Sequence, residues 1–116
     1  MKKQFKLGVI GCGFNSTAIL RGVVLSDFIR EKKIIVSDKD ESKLDNIEYL
    51  GVKTTLDNRY VAQNSEYLIL AVNEKNFKET IKELEGIRPE KVISVICGIS
   101  KNEIKRIISR IYHIKT

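Results

Sequence analysis

The chain has 116 residues, enough for one compact domain with its own core and too few for two. Apolar residues make up 42% and charged residues 31%, with one Pro and no Trp, a globular composition that excludes a disordered or fibrous chain. No apolar run approaches the roughly 18 residues of a membrane span, and the basic start Met1-Lys2-Lys3-Gln4 is not followed by a signal-peptide pattern, so a soluble cytoplasmic protein without a membrane partner is expected.

Lys and Arg number 21 against 15 Asp and Glu, a net charge of +6. The basic residues are interleaved with acidic ones, as in Glu31-Lys32-Lys33 and Lys39-Asp40-Glu41, and no block of five like charges occurs. Such a pattern is solvated surface, and no nucleic-acid partner is expected. The two cysteines, Cys12 and Cys97, form no C-x-x-C pair, and His113 is the one histidine. A zinc site is therefore not expected, and both thiols read as free in a reducing compartment. Cys97 reads as a small packing residue and His113 as a surface or packing residue.

Short β-branched runs alternate with helix-period segments along the chain. Phe5 to Ile10 reads as a strand, followed by a turn at Gly11-Cys12-Gly13. A helix is predicted from about Ser16 to Arg30, with Ala18, Ile19, Val23, Leu25, Phe28 and Ile29 as its apolar positions. Ile34-Ile35-Val36 is a fully apolar run of the kind that forms a buried parallel strand. Asp40 to Tyr49 reads as a second helix with Leu44 and Ile47 inward, stopped by Gly51.

Val52 to Thr54 is a short strand, and Asp57 or Asn58 caps a helix to about Gln63. Tyr67 to Val72 is the most strand-like run. Asn73 caps the next helix, which carries Phe77, Ile81 and Leu84 at core spacing. Val92 to Ile96 is a further strand. Ser100 with Glu103 forms a capping-box pattern ahead of Ile104, Ile107 and Ile108. Arg110 to Ile114 completes the series as a last strand. The charges of Asp40-Glu41 and Glu83-Glu85 read as facing water.

Strand and helix alternating to the end define an α/β domain over residues 1–116, a doubly wound, mainly parallel sheet with helices on both faces, the Rossmann-type form. A flavodoxin-like sheet has the same rhythm in a different strand order and is the alternative.

The most informative segment is Gly8-Val9-Ile10-Gly11-Cys12-Gly13-Phe14-Asn15-Ser16. A Gly-x-Gly at the first strand-to-helix junction is the position of a dinucleotide fingerprint. Gly11 permits the tight turn, Gly13 lets backbone approach a pyrophosphate, and the helix N-terminus offers N–H groups and partial positive charge. Ser16 stands at the third motif position and is small enough for close helix–strand packing and for a part in capping. The second strand ends Ser37-Asp38-Lys39. An acidic residue there suits the ribose hydroxyls of NAD, whereas Ser37 and Lys39 suit the 2′-phosphate of NADP, so both cofactors remain open. Ala71-Val72-Asn73 and Cys97-Gly98 end the later strands at the same crevice, with Asn73 readable as a ligand contact or as a cap.

These residues resemble the N-terminal domain of pyrroline-5-carboxylate reductase from Lys6 to about Ile114. The carriers are GVIGCG (Gly8 to Gly13), VSD (Val36 to Asp38), GVKTTLDN (Gly51 to Asn58), LILAV (Leu68 to Val72) and SVICGIS (Ser94 to Ser100). Hydroxyisobutyrate-type and coenzyme-F420-dependent NADP oxidoreductases share this kind of domain.

The resemblance implies that Gly11, Cys12, Gly13, Phe14, Asn15 and Ser16 hold the cofactor pyrophosphate. It implies that Ser37, Asp38 and Lys39 meet the ribose and its 2′-phosphate, and that Asn58 touches the cofactor. Ala71, Val72 and Asn73 would line the nicotinamide side with Cys97 and Gly98. It also implies hydride transfer from NAD(P)H to a cyclic imine in proline biosynthesis.

The family's Asn-Met-Gly, Lys-Pro and Ala-Ala-Gly segments read Phe14-Asn15-Ser16, Asn73-Glu74 and Ile96-Cys97-Gly98 here. The family continues with a helical domain for dimerisation and substrate, and this chain stops at Thr116. The expectation is therefore nucleotide binding with little or no turnover, no catalytic residue in the chain, and a homodimer through an apolar C-terminal end. A stand-alone nucleotide sensor or assembly module is the alternative.

Overall fold

The computed structural model describes residues 3–87 and 91–94. The elements are β1 (Phe5–Ile10), α1 (Phe14–Leu25), a 3-10 turn (Glu31–Lys33), β2 (Ile34–Ser37) and α2 (Glu41–Asp45). A second 3-10 turn (Glu48–Leu50), β3 (Lys53–Thr55), α3 (Asn58–Asn64), β4 (Ser65–Leu70), α4 (Glu74–Glu83) and β5 (Lys91–Ser94) follow. Among the described residues no helix is long and apolar enough to cross a membrane.

Every pairing in the sheet is parallel, and the strand order is β3-β2-β1-β4-β5. β1 therefore lies in the middle, with the chain winding outward first to one side and then to the other. That is the Rossmann order, and it excludes the flavodoxin-like alternative, whose second strand is followed by a different neighbour sequence.

Strand alternation splits the core in two. Leu7 and Val9 of β1, Ile34 and Val36 of β2 and Ile69 of β4 pack against Leu20 of α1 and Leu44, Ile47 and Leu50 around α2. On the opposite face Ile10, Ile35, Leu68 and Leu70 meet Val61 and Ala62 of α3 and Phe77, Ile81 and Leu84 of α4. All three α4 positions expected from spacing are fully buried. Each such side chain is worth about 1.5–3 kcal/mol of apolar burial, which dwarfs any surface pair on this helix.

Helix α1 departs from expectation. It starts two residues earlier, at Phe14, and ends at Leu25 rather than Arg30. Among its described side chains Leu20 is the fully buried apolar one, whereas Ala18 faces water and Leu25 and, beyond the helix, Phe28 are 74% and 81% exposed. The stop is a Schellman motif. Asp27 takes a left-handed φ of 58°, its N–H donates to the Val24 carbonyl, and the Phe28 N–H donates to the Val23 carbonyl. No glycine marks the position, which is why the apolar period seemed to run on through Phe28 and Ile29.

Smaller shifts occur elsewhere. The second helix is a single turn capped by Asp40, whose side chain accepts from the Ser42 N–H, and the stretch before Gly51 is a 3-10 turn instead of its continuation. β3 and β4 occupy Lys53–Thr55 and Ser65–Leu70, each a residue or two from the expected span. The last predicted helix and strand, and the apolar end assigned to homodimer formation, lie outside the described residues.

Gly8 sits where α3 presses on β1. A Cβ there would stand 2.7 Å from Val61 Cγ1 and closer still to the Ser65 hydroxyl. That hydroxyl is buried without a hydrogen-bond partner among the described residues. Two outcomes follow for urea unfolding. Gly8→Ala loses about 1–3 kcal/mol through overpacking, and Ser65→Ala is neutral or stabilising by up to about 1 kcal/mol, because it deletes an unsatisfied buried group. Asp27→Gly gains about 0.5–1 kcal/mol by relieving the left-handed residue.

Candidate functional site

The C-terminal end of β1 is fastened on both sides. The Gly11 N–H donates to the Ser37 carbonyl of β2 at 2.8 Å, and the Ile10 carbonyl accepts from the Ala71 N–H beyond β4 at 2.8 Å. Gly11 has φ +101°, and a Cβ on it would lie 2.5 Å from the Ala71 carbonyl oxygen. Both the backbone angle and the contact demand glycine there. The chain leaves the sheet at the strand where the winding reverses, the point at which ligands bind in open α/β sheets.

Gly13 is the N-cap of α1 and has ordinary extended backbone, with φ −96° and ψ −164°. Nothing lies within 4 Å of a Cβ placed on it. The glycine thus answers no demand of the fold; it leaves a face of the turn clear. No side chain caps the helix start, so the first-turn N–H groups of α1 have no competitor for an anion. Ser16 is buried, as close packing of helix on strand requires. Its hydroxyl, like that of Thr17, donates to the Gly13 carbonyl, at 3.2 and 2.8 Å, so it steadies the turn without capping the N–H groups. Phe14 and Asn15 supply backbone to this first turn. The clearance at Gly13 and the uncapped amides together fit a pyrophosphate.

Asp38, at the end of β2, turns its carboxylate toward the turn. Oδ2 accepts from the Cys12 N–H at 2.8 Å, and Oδ1 accepts from the Asp40 N–H at 2.9 Å. Each oxygen keeps a lone pair for a further donor such as a ribose hydroxyl. The Cys12 side chain points the other way, into the core under α1 and α2, where its thiol donates to the Lys43 carbonyl. Burial pushes this thiol above its ordinary 9.0; the Thr17 hydroxyl opposes the rise, the Asp38 charge adds to it, and Lys43 opposes it. Cys12 contributes backbone to the turn and no nucleophile.

Ser37 and Asn58 are both buried and bonded to each other, the Ser37 hydroxyl donating to Asn58 Oδ1 at 2.7 Å. The pair ties the end of β2 to the first turn of α3, and Asp57 is the residue that caps that helix, accepting from the Arg59 and Tyr60 N–H groups. Lys39 is exposed, and its ammonium pairs with Glu83 of α4 at 3.2 Å. Glu83 is therefore not simply water-facing, as its charge suggested. Ala71 and Val72 are half-buried at the crevice. Asn73 caps α4, its side chain accepting from the Asn76 N–H. Cys97 and Gly98 lie outside the described residues.

The structure thus gathers Gly11, Cys12, Gly13, Ser37, Asp38, Asn58 and Ala71 around the end of β1. Sequence reasoning missed three features: the Cys12 amide to Asp38 bond, the Ser37–Asn58 pair, and Glu83. The first two join neighbours in space that are far apart in the chain, and only the sheet order reveals them. No sequence signal pointed to Glu83.

Sheet order, turn and helix start define a Rossmann domain of the nucleotide-binding class. Residues 6–98 match the family described as NADP oxidoreductase, coenzyme F420-dependent, and the chain belongs to that family. Pyrroline-5-carboxylate reductase of Methanosarcina acetivorans is 31% identical over 97 residues, covering 81% of this chain and 36% of that protein. The solved pyrroline-5-carboxylate reductase of Coxiella burnetii superimposes with a TM-score of 0.81 at 30% identity, over 92% of this chain and 41% of that one. The Plasmodium falciparum pyrroline carboxylate reductase with NADP bound shares the fold, with a TM-score of 0.72 at 15% identity over 93% of this chain and 39% of that one. The resemblance read from the motifs is borne out, and the chain spans well under half the length of these relatives.

The raised thiol has a linkage sign. Cys12 is neutral when folded, so its contribution is full below pH 9.0, its ordinary value, and declines as pH rises through its higher folded value. Stability measured by urea unfolding falls across that alkaline window in the native chain and less in Cys12→Ala. At pH 8 the folded chain alkylates with iodoacetamide at Cys12 at least about ten-fold more slowly than the unfolded chain, read by peptide mass spectrometry. Gly11→Ala loses about 2 kcal/mol or more from strain and collision together.

Proposed function

We propose that this chain is the cofactor-binding domain of a pyrroline-5-carboxylate reductase-like oxidoreductase, residues 1–116 forming one domain that binds NADP or NAD at the end of β1. The observation that carries the reading is the Gly11-Cys12-Gly13 turn, clamped from behind by β2 and β4 and clear in front at Gly13. In this reading the first-turn amides from Gly13 through Phe14, Asn15 and Ser16 hold the pyrophosphate, and Gly11 and Cys12 shape the turn beneath it. Asp38 and Lys39 attend the adenosine ribose, with Ser37 and Asn58 bracing them from below. Ala71, Val72 and Asn73 flank the nicotinamide side, to which the family resemblance also assigns Cys97 and Gly98.

When bound, the reduced nicotinamide supplies a hydride, and the acceptor in the reaction of the family enzyme is the C=N bond of a cyclic imine. The residues of this chain bind and orient. Turnover also needs an acceptor held beside the nicotinamide in a water-poor pocket, which one face of an open sheet does not build. The reading includes a cytoplasmic location.

Isothermal titration calorimetry with NADPH, NADH and ATP tests it. A dinucleotide binds more tightly than ATP, and Gly13→Ala weakens dinucleotide binding about ten-fold or more by placing a methyl group where the phosphates approach. The same substitution changes stability by less than about 1 kcal/mol, because loss of a favourable N-cap and gain in chain stiffness oppose each other. Unaltered dinucleotide binding by Gly13→Ala contradicts the assignment of the turn.

A further inference from the structure

The end of β2 presents two opposite charges side by side, and the fold treats them differently. The Asp38 carboxylate is anchored by two backbone N–H groups. Ser37 is fully buried with its hydroxyl engaged by Asn58, so it is removed from any contact with a phosphate in the crevice. Lys39 follows Asp38 as a cation at this strand end, and it is held by a residue several elements further along the chain, Glu83 of α4.

Glu83 is well placed for that task. Its side chain is 29% exposed, against 63% for Lys39, so the carboxylate is the more sheltered partner. Arg59 fixes the end of α4 from α3, its guanidinium donating to the carbonyls of Glu83 and Glu85 at 2.9 and 3.1 Å. Arg59 thereby secures the backbone and leaves the Glu83 carboxylate to Lys39. The end of α4 also carries the negative pole of the helix, which favours a cation beside it.

Resting on the reading that the adenosine ribose lies at the end of β2, we propose that Glu83 is a specificity-determining residue that competes with the 2′-phosphate of NADPH for the Lys39 ammonium. A ribose diol, as in NADH, asks nothing of Lys39. A 2′-phosphate gains Lys39 only by displacing Glu83 from it. Glu83 thus handicaps the phosphorylated dinucleotide alone. An exposed ion pair of this kind is worth a few-fold in affinity.

The test is the ratio of NADPH to NADH affinity, measured by calorimetry on the full chain, with thermal melts to confirm folding. Glu83→Gln raises the ratio about two- to five-fold. Lys39→Ala lowers it, and in the Lys39→Ala background Glu83→Gln has no further effect. An unchanged ratio in Glu83→Gln overturns the proposal. So does an equal rise with and without Lys39, which would mean that Glu83 acts on the phosphate directly. A ratio that depends on Lys43, the cation of α2 beside the turn, and not on Lys39 overturns it as well. Failure of the native chain to bind either dinucleotide overturns the underlying assignment of the site, an outcome distinct from the other three.

Discussion

At the end of β1 three strands converge within hydrogen-bonding reach of two consecutive residues. Ile10 accepts from Ala71, Gly11 donates to Ser37, and the Ala71 carbonyl oxygen comes so close to Gly11 that no Cβ fits between them. The rest of the site is a consequence of this closure. Because β1 is gripped from both sides, the chain must leave the sheet at one defined place and in one direction. The Cys12 amide then meets Asp38, and α1 begins from its N-cap Gly13 with no side-chain cap. The rigid contact lies behind the turn and the clearance lies in front of it, so neighbouring glycines have opposite duties.

The two apolar layers serve that closure unequally. The layer under α1 and α2 receives the Cys12 side chain and so holds the turn by its own second residue. The layer under α3 and α4 holds Phe77, Ile81 and Leu84, which set α4 against the sheet and thereby put Glu83 within reach of Lys39. Polar contacts at the end of β2 are few, but they are directed: Ser37 to Asn58, Asp38 to Cys12, Lys39 to Glu83. Three consecutive side chains at one strand end bind three different elements, which makes β2 the organiser of the crevice.

Much of this was legible in the residues. Buried parallel strands announce themselves as short apolar runs: Ile34 to Val36 reads as one and Tyr67 to Val72 as the most strand-like run, and β2 and β4 overlap both. The Gly-x-Gly turn and the α4 core positions also followed from spacing. Helix ends were less legible. Asp27 adopts a conformation usually given to glycine, and the apolar residues beyond it continue a helical period with no helix to follow. The partners of Ser37, Asp38 and Lys39 were hidden for another reason. Local sequence shows which groups a strand end offers, whereas their partners come from segments joined only by the sheet order.

That order has a consequence for how the chain is made. β1 pairs with β2 early, but its other edge waits for β4, where Phe5 meets Ser65 and Ile10 meets Leu70. From the end of β2 at Ser37 to the end of β4 at Leu70 about 33 residues must be added, and at roughly 5–20 residues per second the apolar centre of the sheet stays half-open for a few seconds. Parallel pairing over such a span carries a large loop-closure cost, so folding is slow for a chain of this length. During that interval the nascent edge of β1 is open to any passing strand, and the residue pattern that makes the finished crevice rigid makes its assembly the vulnerable stage.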